Sequence, residues 1–142
     1  MVRKTLIIFA KTPRRGLVKS RLARDIGGAA ATRWYRLNLA LTLRRLGLAK
    51  RWDCRIIAAP HHAAAWPWPK PWRFSYQTRG DLGQRMLKAL RSTGKSHTVL
   101  IGSDIPGIEP QHIAEAFKEL GRNDAVLGPS ADGGRLLAAL QG

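Results

Sequence analysis

Five cations and a glycine stand within the fifteen residues from Phe9 to Ala23, FAKTPRRGLVKSRLA, directly behind the apolar run TLIIFA. Lys11, Arg14, Arg15, Lys19 and Arg21 supply charge-assisted hydrogen-bond donors, and Gly16 allows the backbone to approach a ligand closely. A basic loop with a glycine, placed after an apolar strand, suits the oxygens of a phosphate or diphosphate. The plainer alternative is a solvated, charged surface.

Three later segments carry glycines, and each carries an acid that could complete such a site. These are Gly80 to Gly83 (GDLG), Ser103 to Gly107 (SDIPG) and Pro129 to Gly134 (PSADGG). Each follows a run with strand character: RFSYQT, TVLIG and DAVLG. Between the strands lie helical patterns: Gly27 to Gly47, with Tyr35, Leu39 and Leu46 near helical spacing and Trp34 and Leu41 close by; GDLGQRMLKALRSTG, opened by Asp81 with Leu82, Met86, Leu87 and Leu90 on one side; and PQHIAEAFKELG, with Pro110 in its first turn and a Gly121 stop. CRIIAAP adds a buried strand, and the prolines of WPWPKPW, Trp66 to Trp72, forbid helix there. Strands apolar on both faces that alternate with helices predict a mostly parallel sheet flanked by helices, an α/β domain filling residues 1–142. Ligands of such sheets bind outside the carboxyl ends of the strands, so the four segments should converge there. Cations, glycines and acids on one edge are the equipment for a metal-bound nucleotide diphosphate.

Charge narrows the partners less than its size suggests. The formal net charge is +16, and +13 of it falls between Met1 and Arg51, where Asp25 is the single acid. Such a field draws polyanions of any kind, so nucleotide, non-specific nucleic acid and acidic membrane stay open. The lone Cys54 excludes an internal disulfide and a cysteine-rich zinc site, and suits a reducing, cytoplasmic setting. No apolar run is long enough for a membrane span.

Several features have bland readings. STGKS, Ser92 to Ser96, resembles the end of a P-loop, but the required first glycine falls at Ala89 and the segment leaves a helix to enter a strand, the reverse of a P-loop. GLVKS lacks the glycine before Lys19. His61 and His62 have no ligating partner at helical spacing, His97 and His112 read as surface residues, Cys54 as core, and the WPWPKPW tryptophans as a flap packed over the sheet. Asp81 fits a helix N-cap as well as a ligand contact.

FAKTPRRGLVKSRL, GDLGQRM, LIGSDIPGI and AVLGPSADGG, in this order and spacing, resemble the GT-A-like glycosyltransferase family, radical-SAM/selenodomain-associated transferases of the nucleotide-diphospho-sugar transferase superfamily. They are similar, more distantly, to 2-phospholactate and molybdenum-cofactor guanylyltransferases. The resemblance implies a nucleotide-diphospho-sugar transferase fold that transfers a sugar or, alternatively, a nucleotidyl group from a nucleotide or nucleotide-sugar to an acceptor the sequence does not identify. Lys11, Arg14, Gly16, Lys19 and Arg21 correspond to its phosphate-binding loop, with Ser20 where threonine is usual. Gln77, Asp81, Gly83 and Arg85 correspond to the nucleobase side, Asp104 to the acid that holds a divalent metal (Mg²⁺ or Mn²⁺), and Asp132, Gly133 and Gly134 to the donor or acceptor turn. Arg15 replaces a proline common in the family, and Arg135 an aromatic.

Family members continue beyond the strand RLLAAL with a late acidic segment that resembles a second metal-ligand region. The C-terminally shortened pattern therefore predicts a half-built metal site, an unpaired edge at RLLAAL, self-association on that side, and weak or absent turnover. Two further readings stand beside the enzyme: a non-catalytic nucleotide-binding remnant, and a basic nucleic-acid-binding domain.

Overall fold

The computed structural model describes residues 3–11, 27–48, 51–59, 68–94, 96–103, 107–121, 125–129 and 136–140. For Lys11 and the last two segments it describes the backbone alone. The elements are β1 (Lys4–Lys11), α1 (Gly28–Gly47), β2 (Asp53–Ala59), β3 (Arg73–Tyr76), α2 (Leu82–Arg91), β4 (His97–Gly102), α3 (Pro110–Leu120), β5 (Ala125–Pro129) and β6 (Leu136–Leu140). The strands form one sheet in the order β3-β2-β1-β4-β6-β5. β3, β2, β1 and β4 are mutually parallel, and β6 runs antiparallel to both β4 and β5. The α/β arrangement expected from the alternating pattern is the one observed.

Successive side chains of a strand point to opposite faces, and here both faces are covered. Leu6, Ile8 and Ala10 of β1, Cys54, Ile56 and Ala58 of β2, and Val99 and Ile101 of β4 join Tyr35, Leu39, Leu43 and Leu46 of α1 and Ile113, Ala116, Phe117 and Leu120 of α3 in the larger core. The intervening Ile7, Phe9, Ile57 and Leu100 meet Ala89 of α2, with Met86 and Leu90 packed against them. At the start of β1 and β4, the Thr5 and Ser96 hydroxyls hydrogen-bond each other at 2.7 Å, and Ser96 donates to the Arg3 carbonyl, fixing how the two strands enter the sheet.

Each helix starts and stops differently. α1 follows Gly27 at φ 91°, a conformation that favours glycine, and ends with Arg44 and Arg45 in its last turn, where the helix dipole favours cations. α2 opens with a capping box: the Asp81 carboxylate accepts from the Gln84 N–H at 2.8 Å, and Gln84 Oε1 accepts from the Asp81 N–H at 2.9 Å. α3 has Pro110 in its first turn, and the Glu109 N–H donates to His112 Nδ1 at 2.9 Å.

Three expectations need correction. Trp34 and Leu41 do not join the α1 core face: they are 40% and 48% exposed, because residues 31, 35, 39, 43 and 46 already fill the buried stripe and positions 34 and 41 turn beyond it. On α2, Leu87 lies about 100° from Met86 around the helix and is exposed, and Leu82 is exposed at the first helical position. RLLAAL supplies no free edge. β6 pairs with β4 on one side and β5 on the other, so the expectation of an unpaired strand there fails.

Of the proline-rich segment, Trp72 is buried with Nε1 donating to the Leu43 carbonyl at 2.8 Å, and Trp68 stacks on Phe74 with ring centroids 5.8 Å apart. These tryptophans are packing elements, as expected; Trp66 is outside the described residues. Cys54 is core, His112 is exposed, and His97 is half buried at the start of β4.

Candidate functional site

The strand register brings the ends that carry the candidate loops to one edge of the sheet. Lys11 at the end of β1 lies opposite Ala59 at the end of β2, and Phe9 lies opposite Gly102, which ends β4. Tyr76 closes β3 beside Ala58. β6 runs the other way, so its first residues sit beside the last of β4, with Leu137 opposite Ile101, while Leu136 pairs with Pro129 at the end of β5. The segment after β4 therefore starts beside the end of β1, and the strand ends that flank residues 130–135 lie on the far side of β4 at the same edge. Arg14, Gly16, Lys19, Arg21, Asp104, Asp132, Gly133, Gly134, His61 and His62 lie outside the described residues, as does the Lys11 side chain.

The nucleobase-side residues are described, and Gln77 is their centre. Its backbone N–H donates to the Ala58 carbonyl at 2.9 Å, extending the β2–β3 ladder by one bond. Its side-chain Nε2 reaches the Ile57 carbonyl at 3.2 Å and the Ala10 carbonyl at 3.4 Å, while Oε1 accepts a short hydrogen bond from the Arg85 guanidinium. One side chain thus ties the end of β1 to β2 and to α2. Only an amide can do this, since it presents a donor to two carbonyls and an acceptor to the arginine.

Arg85 is half buried, and its Nε also approaches the Asp81 carbonyl at 3.4 Å. Both of these acceptors are neutral, so its positive charge is held at the sheet edge without a carboxylate among the described residues. Asp81 uses its carboxylate in the capping box, and its N-cap role is the one the structure displays. Gly83 lies in the exposed first turn of α2, where an added Cβ would meet Asp81 Oδ1 at 3.4 Å, an ordinary contact.

A further positioning contact had no sequence signal. Tyr35 of α1, 5% exposed, shares a 2.9 Å hydrogen bond between its hydroxyl and that of Ser103, the residue before Asp104. The pair is separated by 68 positions, and neither residue type advertises the other. Ten residues further along α1, Arg45 donates to the Ile108 carbonyl at 3.0 Å and stands 3.7 Å from a Glu109 carboxylate oxygen, so α1 holds the chain on both sides of positions 104–106.

Nucleophilic chemistry finds no support in Cys54. Burial, with Asp53 adding to it, pushes its thiol up to about 11, which keeps it neutral and inert near pH 7. Among the described residues no three His, Cys, Asp or Glu side chains cluster as a metal site. No helix among them is long and apolar enough to cross a membrane.

Comparison with known structures agrees with this architecture. A protein from Desulfovibrio desulfuricans G20, provisionally assigned as a nucleotide-diphospho-sugar transferase, superposes with a TM-score of 0.86 at 33% identity. The match covers 99% of this chain and 64% of that one, so the chain spans just under two-thirds of its length. The 4-diphosphocytidyl-2C-methyl-D-erythritol synthase of Anaerococcus prevotii DSM 20548 superposes with a TM-score of 0.59 at 12% identity, over 99% of this chain and 71% of the other, a likeness of fold. No curated protein matches the chain. The model of a bacterial family described as "uncharacterized protein conserved in bacteria" (DUF2064) matches residues 42–142, well over half of the sequence, and the chain belongs to that family, with the nucleotide-diphospho-sugar transferase fold.

Proposed function

We propose that the chain binds a nucleoside diphosphate, as the donor half of a nucleotide-sugar, at the carboxyl edge of its parallel strands, and that it serves in transfer of the sugar. The observation that supports this reading is the register: the ends of β1, β3, β4 and β5 and the start of β6 fall at one edge of the sheet, where the Gln77–Arg85 bridge stands, and the basic loop, Asp104 and residues 130–135 follow those strand ends in the sequence. Lys11, Arg14, Lys19 and Arg21 would hold the diphosphate oxygens, with Gly16 permitting close approach. Arg85, fixed by Gln77, would present donors on the nucleobase side, together with the α2 start at Asp81 and Gly83.

Asp104 is the proposed ligand of a divalent cation, Mg²⁺ or Mn²⁺. It stands two residues beyond Gly102, which bounds its distance from the strand end to about 7 Å of chain. Oxygen ligands of this kind suit a hard cation that also takes diphosphate oxygens and water. When bound, the metal would neutralise charge on the leaving diphosphate. The chain's own contribution is positioning and charge stabilisation, with Asp132, Gly133 and Gly134 proposed to border the sugar or the acceptor. Nucleotidyl transfer is the second reading, favoured by the fold shared with the erythritol synthase. The formal charge of +16 supports a third, non-specific nucleic acid binding.

The test is a thermal-shift panel of nucleotides and nucleotide-sugars, with and without Mg²⁺ or Mn²⁺. Lys19→Ala with Arg21→Ala should remove contacts of about 1.5 to 3 kcal/mol each. Unchanged nucleotide affinity in that folded double variant would overturn the phosphate assignment. Metal-dependent binding that survives Asp104→Asn would overturn the metal assignment, and nucleic acid binding that resists about 200 mM salt would favour the third reading.

A further inference from the structure

The helix α1 has two apolar faces, and only one is accounted for by the core. Ala31, Tyr35, Leu39, Leu43 and Leu46 are buried against the sheet. Trp34, Leu37, Leu41 and Leu48 are 40, 59, 48 and 66% exposed. Their spacings of three, four and seven residues place them on one line along the helix, about 150° around from the centre of the buried face at 100° per residue. Four of the seven large apolar side chains that stand exposed among the described residues fall on this line. Ala30 continues it by sequence position, so the stripe runs nearly the full 20-residue helix, about 30 Å.

The borders of the stripe are basic. At the same 100° step Arg33 and Arg44, both exposed, lie along one side, while Arg45 on the other is half buried and turned to the Ile108 carbonyl and Glu109; residues 28–47 contain four arginines and no acid. The neighbouring α3, which covers the same sheet face, points Gln111, His112, Glu115, Lys118 and Glu119 toward solvent or partly so, an ordinary mixed surface. The apolar-and-arginine face is therefore a property of α1 and not of the whole layer.

We infer that this outward face of α1 is an interfacial docking surface for an anionic lipid bilayer, lying in the headgroup plane with Leu37, Leu41 and Leu48 entering the acyl boundary. Charge complementarity selects this occupant. Leucines and a tryptophan bordered by arginines, with no acid between them, are the composition of a helix that lies in an interface. The arginines meet lipid phosphates while their stems lie along apolar surface. A second copy of the chain would set arginine against arginine with no acid in either helix. Nucleic acid would meet the arginines but gain nothing from a line of aliphatic side chains, since its contacts are phosphates, base edges and stacked bases. The inference uses residues of α1 alone, so it does not depend on the nucleotide reading.

The experiment is flotation of the 142-residue chain with vesicles of phosphatidylcholine alone and with about 30% phosphatidylglycerol added. Binding to the anionic vesicles and little to the neutral ones is expected. Leu37→Ser with Leu41→Ser keeps every charge and should weaken that binding by about tenfold per leucine, without lowering the melting temperature. Arg33→Gln with Arg44→Gln should weaken it at low salt and reduce its salt dependence. Failure of the parent chain to float with anionic vesicles would overturn the inference. So would equal flotation of the leucine variant, which would trace the binding to charge alone. A concentration-dependent dimer abolished by the leucine substitutions would make the occupant a second copy, and binding to soluble polyglutamate abolished by them would make it an acidic protein; either result overturns the lipid assignment.

Discussion

The helices α1 and α3 cover the same face of one sheet and pack into one core, yet they are built on different terms. α3 buries Ile113, Ala116, Phe117 and Leu120 and leaves its remaining face polar, so its amphipathicity is fully explained by the fold. Its core contact is extended by Phe117, stacked on Trp52 with centroids 5.7 Å apart and with the Lys4 ammonium 5.7 Å from the ring. α1 buries a comparable stripe and then repeats the apolar pattern on its far side. The contrast teaches that apolar content alone overstates what a helix gives to its core. Residues of one type in one helix can serve stability or remain available for an encounter, depending on an angle.

Leu43 and Leu41 test that division most directly. Leu43 is 2% exposed within the α1 core stripe and Leu41 is 48% exposed on the opposite line. Leu43→Ala should cost about 2 to 5 kcal/mol through lost burial and the cavity left behind. Leu41→Ala should change stability by no more than about 0.5 kcal/mol. Urea unfolding of the two variants with equal slopes would measure both. A comparable loss from both would mean that the outward stripe is packed after all, and it would remove the basis of the docking inference.

The ends of the two helices should differ as well. Gly47 closes α1 against Trp72 and Pro71: a Cβ there would stand 2.9 Å from Trp72 Nε1 and 3.2 Å from Pro71 Cδ. Trp72 has little freedom to yield because it is buried and its Nε1 donates to the Leu43 carbonyl. Gly47→Ala should therefore cost about 1 to 3 kcal/mol from overpacking, against the usual preference of helices for alanine. At the end of α3, Gly121 has φ −64°, and its nearest Cβ neighbour would be the Lys118 carbonyl oxygen at 3.3 Å. Gly121→Ala should be neutral to within about 0.5 kcal/mol. Chemical unfolding of the pair decides the point; a stabilising Gly47→Ala would show that the tryptophan yields.

The sequence made the framework readable because periodicity is a direct imprint of burial. The helix expected from Gly27 to Gly47 is observed from Gly28 to Gly47, and Pro110 and Gly121 bound α3 as their backbone preferences require. What periodicity could not decide was which of two apolar lines faces the sheet: Trp34 and Leu41 stand close to the core positions in sequence but on the outward line. Nor could it place RLLAAL: strand order depends on long-range pairing, and β6 enters between β4 and β5, paired on both sides. In the candidate site, Gln77 and Arg85 carry a motif, but the bridge from Gln77 to Ala10 and Ile57 is a matter of register. The Tyr35–Ser103 bond has no local signature at all. Motifs reveal the residue types chemistry requires; the contacts that aim them come from tertiary packing.

A loss smaller than those at Leu43 and Gly47 is expected where a helix begins. α1 has no side-chain cap and starts from Gly27, whereas α2 starts from the reciprocal Asp81–Gln84 capping box. Asp81→Ala removes an acceptor that satisfies an otherwise orphaned Gln84 N–H, and should cost about 1 kcal/mol. Asp81→Asn retains an acceptor and should recover most of that loss. If Asp81 serves the fold alone, both variants should bind nucleotide as the parent chain does once differences in stability are allowed for. If its carboxylate also meets the ligand, Asp81→Asn will restore the melting temperature without restoring affinity. Melting temperature and nucleotide affinity measured on the same two variants therefore separate the helix cap from the ligand contact.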